Sequence, residues 1–177
     1  MITVNKISKS FDDIKIIDGI SAVFDKGKTN LIIGQSGSGK TVLMKCLLGL
    51  LDIDNGEILY DGKKFDKDNI STISNLRKQI GMVFQGSALF DSMTVLENII
   101  FPLRMFLDNT DSEMIRRARE VINRVDLKDV DDKFPSEISG GMKKRVAIAR
   151  AIVLNPKYLF CDEPNSGLDP KTAIIID

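Results

Sequence analysis

The residues with the clearest chemistry lie in the glycine-rich segment Gly34–Thr41, which reads Gly-Gln-Ser-Gly-Ser-Gly-Lys-Thr. It fits the pattern G-x-x-x-x-G-K-[ST], in which glycines let successive backbone N–H groups converge on a phosphate and a helix adds its dipole. We expect Lys40 to reach the β- and γ-phosphates and Thr41 to be a ligand of Mg²⁺. A plain glycine turn is the alternative. The nucleotide-binding residues predicted here are Gly34, Gln35, Ser36, Gly37, Ser38, Gly39, Lys40, Thr41 and the adjoining Val42.

Two acidic residues, Asp162 and Glu163, follow an apolar run that is typical of a strand. An acidic side chain at the carboxyl end of a strand beside a phosphate-binding loop can hold Mg²⁺ through water. A second carboxylate there can orient or deprotonate an attacking water, which is the role of a general base. We therefore predict Asp162 as a metal residue and Glu163 as a catalytic residue. The alternative is a strand that ends in two solvated acids.

A second glycine-rich turn, Ser139-Gly140-Gly141, opens a helical pattern with basic residues at 143–145. Ser139 is a good N-cap, and a cap without any ligand is one interpretation. A hydroxyl, unobstructed N–H groups and a positive helix end also make an anion site. The two acids about twenty residues later favour that second interpretation. For the basic run, a solvated helix face is the favoured interpretation.

In this order the motifs resemble those of the ATPase subunits of ABC (ATP-binding cassette) transporters, over nearly the whole chain. The resemblance implies that Gly34–Thr41 is the Walker A motif, with Lys40 catalytic, and that 158–162 is the Walker B strand. It implies that Gln85 contacts the nucleotide and Mg²⁺, and that Phe11 stacks on adenine; simple packing is the alternative for Phe11. It places the D-loop at 166–169.

The same resemblance implies ATP and Mg²⁺ as cofactors and a head-to-tail homodimer. In such a dimer Ser139, Gly140 and Gly141 contact the γ-phosphate held by the other subunit, and the dimer works on transmembrane permease subunits. Met142 stands where the family more often has Gln, and 84–95 reads Phe-Gln-Gly-Ser-Ala-Leu-Phe-Asp-Ser-Met-Thr-Val. Both features are similar to ATPases of phospholipid transporters, which work with Mce-type lipid-binding proteins.

Three apolar residues in that segment, Leu89, Phe90 and Met93, lie in a short connection. We expect an exposed patch there that would suit a groove for a short helix of the membrane subunit. The alternative is that they pack the helical part of the protein.

The elements that must position these residues follow from the apolar periodicity. Helices are predicted at 39–51, at 94–105 with an end or kink near Pro102, at 111–125 and at 139–154. The predicted strands are 2–7, 14–24, 29–34, 56–62, 80–84 and 158–162, with 29–34 buried on both faces.

This order of elements predicts an α/β fold with a helical insertion. With the family resemblance, it becomes a P-loop NTPase (RecA-like) core with an N-terminal antiparallel β subdomain, a helical insertion and its last strands missing. We expect one domain over 1–177, in which 1–87 and 155–177 form the core and β subdomain and 88–154 the helical subdomain.

Composition restricts the function further. The chain has 25 Lys+Arg and 25 Asp+Glu, so no global field recruits nucleic acid. Since no apolar run approaches the roughly 18 residues of a membrane span, we expect a cytoplasmic protein, peripheral on the inner face of the cell membrane through its partners. Cys46 and Cys161 lie in apolar stretches, which predicts two buried packing thiols.

The last residue is Asp177, and the chain contains no histidine. The family pattern would continue with a further strand and a histidine that contacts the γ-phosphate. We therefore expect a truncated domain that is weakly active or inactive. Two alternatives remain open: a non-transport ABC ATPase acting in translation or DNA repair, and nucleotide binding without turnover.

Overall fold

The structure is a computed structural model that describes residues 1–66 and 69–164. It divides into two compact units, Met1–Ser74 and Asn75–Asp177. The predicted D-loop at 166–169 lies outside the described residues. Each unit is built around its own sheet and is described separately below.

The first unit contains a four-stranded antiparallel sheet in the order β2-β1-β3-β4. Asp12 and Asp13, both with positive φ, form the two-residue turn between the first two strands. Such a turn matches the right-handed twist of a hairpin, so the sequence correctly predicted both strands. The strands are β1 (Ile2–Phe11), β2 (Ile14–Phe24), β3 (Asn55–Tyr60) and β4 (Lys63–Lys64).

Helix α1 (Lys40–Leu47) follows the glycine-rich segment and is shorter than predicted. Its buried side chains Leu43, Cys46 and Leu47 belong to the core of this unit, and the Tyr60 hydroxyl donates a 2.7 Å hydrogen bond to the Leu47 carbonyl. That bond satisfies one of the carbonyl groups that a helix end leaves open. A further helix that was not predicted, α2, spans Ile70–Lys78.

The predicted strand at 29–34 is wrong. No strand is assigned there, and Leu31 and Ile33 are 78% and 85% exposed. An apolar run becomes a buried strand only where neighbouring strands bond to it and other elements cover its faces. Within the described residues, neither sheet includes this segment.

The second unit pairs β5 (Ile80–Val83) and β6 (Tyr158–Cys161) in parallel, with Val83 opposite Cys161. A Cβ at Gly81 would lie 2.3 Å from the Ala151 carbonyl oxygen, so glycine lets the helix that contains Ala151 approach this strand closely. Burial in β6 alternates, and Cys161 is exposed while Cys46 is buried. The prediction of two buried thiols was therefore wrong for Cys161, because it lies on the exposed face of β6, opposite the half-buried one.

Three helices pack together in the second unit: α3 (Val95–Phe106), α4 (Asp111–Arg124) and α5 (Gly140–Ile152). A 3₁₀ turn over Pro135–Glu137 precedes α5. Helix α3 continues past Pro102 to Phe106, so the proline does not end it. Fully buried side chains from all three helices form one core, including Val95, Ile99, Ala118, Val121, Val146 and Ala149.

Both α3 and α4 begin with a capping box. Thr94 accepts a hydrogen bond from the Glu97 N–H while the Glu97 carboxylate accepts one from the Thr94 N–H. Thr110 and Glu113 repeat this arrangement in α4, and the bonds from Thr110 lower the pKa of Glu113. Each box satisfies two backbone donors that would otherwise lack partners, and so fixes where the helix begins.

Candidate functional site

The glycine-rich segment forms a tight turn whose backbone requires its glycines. Gly37 and Gly39 have φ of +80° and +90°, a region that other residues rarely adopt. A Cβ at Gly34 would lie 2.5 Å from the Ser38 Oγ, and one at Gly39 would lie 3.2 Å from the Ile16 carbonyl oxygen. At its glycine positions the backbone of the segment can therefore approach a ligand more closely than it could if those residues carried side chains.

Lys40 is the first residue of α1, and its ammonium group turns back over the loop. It donates hydrogen bonds to the carbonyl oxygens of Gly34 and Gln35, at 2.9 and 3.0 Å. The Ser38 N–H closes the turn on the Gln35 carbonyl at 3.2 Å. A cation and the first N–H groups of a helix thus meet at one loop, which is the donor set that a polyphosphate needs.

The other predicted residues of the first unit flank this loop or lie at the hairpin. Thr41 and Val42 form the first turn of α1. Phe11 ends β1 and is 41% exposed, with the Lys9 ammonium 5.4 Å from the centre of its ring. An exposed aromatic face beside a cation can stack on a base, so the adenine role of Phe11 stays a prediction.

Gln85, Asp162 and Glu163 lie where the parallel strands β5 and β6 end. The backbone N–H of Asp162 continues the pairing with a 2.9 Å hydrogen bond to the Val83 carbonyl. The Gln85 Nε2 donates a 3.0 Å hydrogen bond to the Glu163 Oε2, and both side chains are exposed. The fold therefore brings together two residues that are 78 positions apart in the sequence.

Ser139 is the N-cap of α5, as predicted, and its Oγ accepts a 3.2 Å hydrogen bond from the Met142 N–H. Gly140 is exposed, its φ is not positive, and a Cβ there would meet nothing within 4 Å. Neither packing nor backbone conformation therefore requires glycine at 140. A need for close approach by another molecule would explain it.

The basic run at 143–145 is not simply a solvated face, so that interpretation was wrong. The Lys144 ammonium donates to the Pro164 carbonyl at 3.1 Å, which ties α5 to the segment after Glu163. Arg145 donates to the Asp126 carbonyl at 2.7 Å, just past the end of α4. Guanidinium groups suit helix C-termini because the last carbonyls there lack helical donors.

Of the three apolar residues of the connection before α3, Phe90 is exposed, whereas Leu89 and Met93 are half-buried. The Phe90 ring lies 4.8 Å from the Phe101 ring, centre to centre. Phe90 is therefore the exposed one of the three, and it packs beside the half-buried Phe101.

Sequence reasoning missed Asn98 and Arg150, which hold this connection. Asn98 is a fully buried amide on α3 whose hydrogen bonds all go to backbone groups of residues 90–94. Arg150 on α5 donates to the Ser87 carbonyl at 3.0 Å. A polar side chain on the apolar face of a helix was the available signal for Asn98.

The residues for a metal ion are few. Within 1–66 and 69–164, no group of three or more His, Cys, Asp or Glu side chains could hold one. Mg²⁺ commonly takes only one or two protein oxygens beside phosphates and water, so the Thr41 hydroxyl and the Asp162 carboxylate fit it by ligand type.

Comparison with known protein families decides the membership of the chain. Residues 17–166 match the family described as ABC transporter. The chain belongs to the ABC transporter family. It carries the family's ATP-binding domain, and the family resemblance found in the sequence is confirmed.

Curated relatives within the ABC transporter family agree. The chain is 40% identical over 175 residues to the probable ribonucleotide transport ATP-binding protein mkl of Mycobacterium bovis, covering 98% of the chain and 49% of that protein. It is 39% identical over 174 residues to the methionine import ATP-binding protein MetN of Clostridium tetani, covering 98% and 54%. The chain thus spans about half the length of the curated relatives it matches.

Solved structures of ABC cassettes share the fold. The dimeric structure of MJ0796, a bacterial ABC transporter cassette, matches with a TM-score of 0.92 at 30% identity, covering 99% of the chain and 79% of that chain. A post-hydrolysis state of the same cassette, bound to ADP and Pi, matches with a TM-score of 0.89. The predicted P-loop NTPase fold class is confirmed. In the part of the chain that is described, no helix has the length and apolar character to cross a membrane.

Proposed function

We propose that this ABC domain binds ATP with Mg²⁺ and hydrolyses it, to energise a membrane transporter. The observation that carries the proposal is the hydrogen bond from Gln85 to Glu163 at the edge where β5 and β6 end. It places an amide donor on a carboxylate that is exposed to water. A carboxylate that is held in one orientation and is exposed to water is suited to general-base work.

In the proposed reaction the Lys40 ammonium leaves the carbonyls of Gly34 and Gln35 and binds the β- and γ-phosphates. The glycine-loop N–H groups hold the remaining phosphate oxygens. Glu163 accepts a proton from the water that attacks the γ-phosphorus in line, while the bond to the ADP oxygen breaks. Mg²⁺, when bound by Thr41 and Asp162 with a contribution from Gln85, would neutralise the phosphate charge.

Two subunits are needed in this proposal. The turn at Ser139–Gly141, in which Ser139 and Gly140 are exposed, would contact the γ-phosphate of a nucleotide held by a second copy of the chain, in a homodimer. The support is Gly140, where nothing within the chain requires a glycine. The MJ0796 cassette was solved as a dimer, which agrees with this assembly.

The partner in the membrane would be a permease that docks on Phe90 and holds the protein at the inner, cytoplasmic face. Phe90 is a large apolar side chain that is 41% exposed, and the backbone on both sides of it is anchored. An exposed aromatic residue on a fixed loop can fill an apolar groove or receive a short helix. Loss of permease binding in Phe90→Ser, with ATP binding unchanged, would support this contact.

For the transported substrate we propose phospholipid, supplied by an Mce-type lipid-binding protein. This rests on Met142 and the segment 84–95 of the sequence. The names of the curated relatives refer to ribonucleotide transport and methionine import, so these relatives give no support for a lipid substrate. Purification of the full-length protein with its membrane partners, followed by analysis of bound small molecules, would decide it. If methionine or a nucleotide were bound instead of phospholipid, the assignment of a lipid substrate would be wrong.

The hydrolysis itself is tested by Glu163→Gln, with Glu137→Gln as the matched control. Phosphate release by the full-length protein should fall at least about a hundredfold in Glu163→Gln, because the amide cannot accept the proton. ATP affinity should stay near that of the native protein, and Glu137→Gln should be fully active. Equal phosphate release by both variants would rule out Glu163 as the base.

A further inference from the structure

The loop between β5 and α3, residues 84–94, is called here the Gln85 loop. Asn98 fixes its second half. The Asn98 Oδ1 accepts a 2.9 Å hydrogen bond from the Phe90 N–H, and the Nδ2 donates to the Phe90, Met93 and Thr94 carbonyls at 3.1, 3.1 and 3.0 Å. Only the amide oxygen can accept from an N–H, so the orientation of the carboxamide is settled by the network. Asn98 therefore holds both backbone polar groups of Phe90.

Arg150 fixes the first half of the Gln85 loop from another helix. Its Nη2 donates a 3.0 Å hydrogen bond to the Ser87 carbonyl, and its guanidinium lies 5.7 Å from the centre of the Phe90 ring. Ser87 is itself buried. The two anchors come from α3 and α5, so the loop is attached to the helical core at both of its ends.

The backbone between the anchors is in an uncommon conformation. Ser87 and Ala88 have φ of +62° and +48°, which residues other than glycine adopt only when their surroundings impose it. The Ser87 N–H bonds to the Phe84 carbonyl at 3.0 Å and the Ala88 N–H to the Gly86 carbonyl at 2.7 Å. Without its anchors this part of the loop would relax to commoner conformations.

We propose that Asn98, assisted by Arg150, is a positioning residue that holds the Gln85 loop so that Gln85 stays hydrogen-bonded to Glu163. The inference rests on the proposed hydrolysis at Glu163. Asn98 acts through the loop and touches neither the reacting carboxylate nor Gln85. Most of the predicted phosphate-binding residues are at Gly34–Thr41, outside the Gln85 loop, so we expect the loss of Asn98 to slow turnover far more than it weakens nucleotide binding.

The loop can be observed directly, because the chain contains no tryptophan and Phe90→Trp introduces a single tryptophan, whose fluorescence can be excited apart from that of the two tyrosines. In that background Asn98→Asp keeps an acceptor for the residue 90 N–H but sets a carboxylate against three carbonyl oxygens. We expect acrylamide quenching of the tryptophan to rise about twofold or more, since the buried hydrogen bonds are lost. Asn123→Asp, the same change at an exposed position of α4, should leave quenching unaltered.

Turnover is measured on the full-length protein with Phe90 intact. Asn98→Asp should lower kcat about tenfold while KM for ATP stays within about twofold, and Asn123→Asp should change neither. A merely structural defect would lower the amount of active protein, which active-site titration corrects for. Unchanged quenching, or a raised KM at unchanged kcat, would overturn the proposal.

A second variant covers the case in which Asn98→Asp does not fold. Arg150→Lys keeps a long cationic side chain but loses the planar donor fork, so quenching should rise and kcat should fall about threefold. No change in either quantity would overturn the proposal. If the native full-length protein hydrolyses no ATP, the proposed function fails. The quenching experiment then tests separately whether Asn98 and Arg150 hold the loop, and equal quenching in all variants would refute that role.

Discussion

At the scale of single residues, the proposed chemistry converges on Glu163. Its carboxylate accepts a hydrogen bond from Gln85, and its own backbone has a φ of +46°. A residue other than glycine in this region carries about 1–3 kcal/mol of strain, which persists where the surrounding structure imposes it. The strand end and the bond to Gln85 supply that constraint, and they aim the side chain at the edge where β5 and β6 end.

A second residue pair gives a test of stability against pH. The Lys9 ammonium donates a 2.9 Å hydrogen bond to Asp54, the Ser10 N–H donates another, and together they lower the pKa of Asp54 below its usual 3.8. Because the pKa of Asp54 is lower in the folded than in the unfolded protein, its charged form stabilises the fold at any pH above the unfolded-state pKa. This contribution is lost as the pH falls through the folded-state pKa. Asp54→Asn should therefore be destabilising at pH 7, and the difference should shrink below about pH 4.

Urea unfolding at several pH values measures this difference. Asp108→Asn, a change at an exposed loop carboxylate, serves as the control and should have little effect at any pH. A destabilisation by Asp54→Asn that is the same at pH 7 and pH 3 would show that the charge of Asp54 does not matter.

Residue types and spacing predicted the glycine loop at the start of α1, the N-cap at Ser139 and the position of Glu163 at a strand end. The contact between Gln85 and Glu163 could not be derived from spacing, because it depends on which strands pair. Asn98 was missed because the role of an amide on an apolar helix cannot be predicted until the backbone groups that it bonds are known. Cys161 was assigned to the core because its neighbours are apolar, yet β6 exposes that face.

At the scale of elements, caps and periodicity account for most of the boundaries. Helices α3 and α4 begin where a threonine is followed three residues later by a glutamate, and both capping boxes form. Their inward faces are continuous apolar stripes that form the core of the second unit. Each helix therefore carries its own start signal and its own packing face.

The cap of α4 gives a prediction at this scale. Thr110→Ala removes the acceptor for the Glu113 N–H, and we expect a loss of about 1 kcal/mol in the free energy of unfolding. Thr110→Ser keeps the hydroxyl oxygen and should recover most of that loss. Chemical denaturation of the three proteins measures it; a serine variant as unstable as the alanine variant would count against the cap.

The segment 29–34 shows where element prediction fails. Its composition is that of a buried strand, but Leu31 and Ile33 are exposed and no described strand pairs with it. Apolar periodicity indicates which side chains are stabilised by burial. Which strand the segment pairs with depends instead on the arrangement of the whole sheet. The sequence therefore predicts such a strand only when its neighbours are also known.

At the scale of the whole molecule, the proposed site requires a second copy of the chain. Equal numbers of acidic and basic residues leave no net charge to drive association, so the contact must be local. The turn at Ser139–Gly141 is such a local feature. Gly140 is informative because neither the packing nor the backbone conformation of a single copy requires a glycine at this position.

Gly140→Ala separates folding from assembly. The free energy of unfolding should be unchanged or up to about 1 kcal/mol higher, since alanine favours a helix over glycine. ATP-dependent dimerisation and phosphate release by the full-length protein should fall about tenfold, because the methyl group lies where the other subunit's phosphate would approach. Ser136→Ala is the nearby control. A Gly140→Ala protein that is both stable and fully active would contradict the shared site.

Equilibrium binding of a fluorescent ATP analogue in the presence of Mg²⁺ tests most directly whether Gly34–Thr41 binds the phosphates of ATP. Lys40→Ala should weaken binding at least about tenfold, a loss of about 1.4 kcal/mol, because the ammonium no longer meets the phosphates. Lys45→Ala, on the last turn of the same helix, should bind like the native chain. Equal affinity of the Lys40→Ala and native proteins, or no binding by the native chain, would contradict the account.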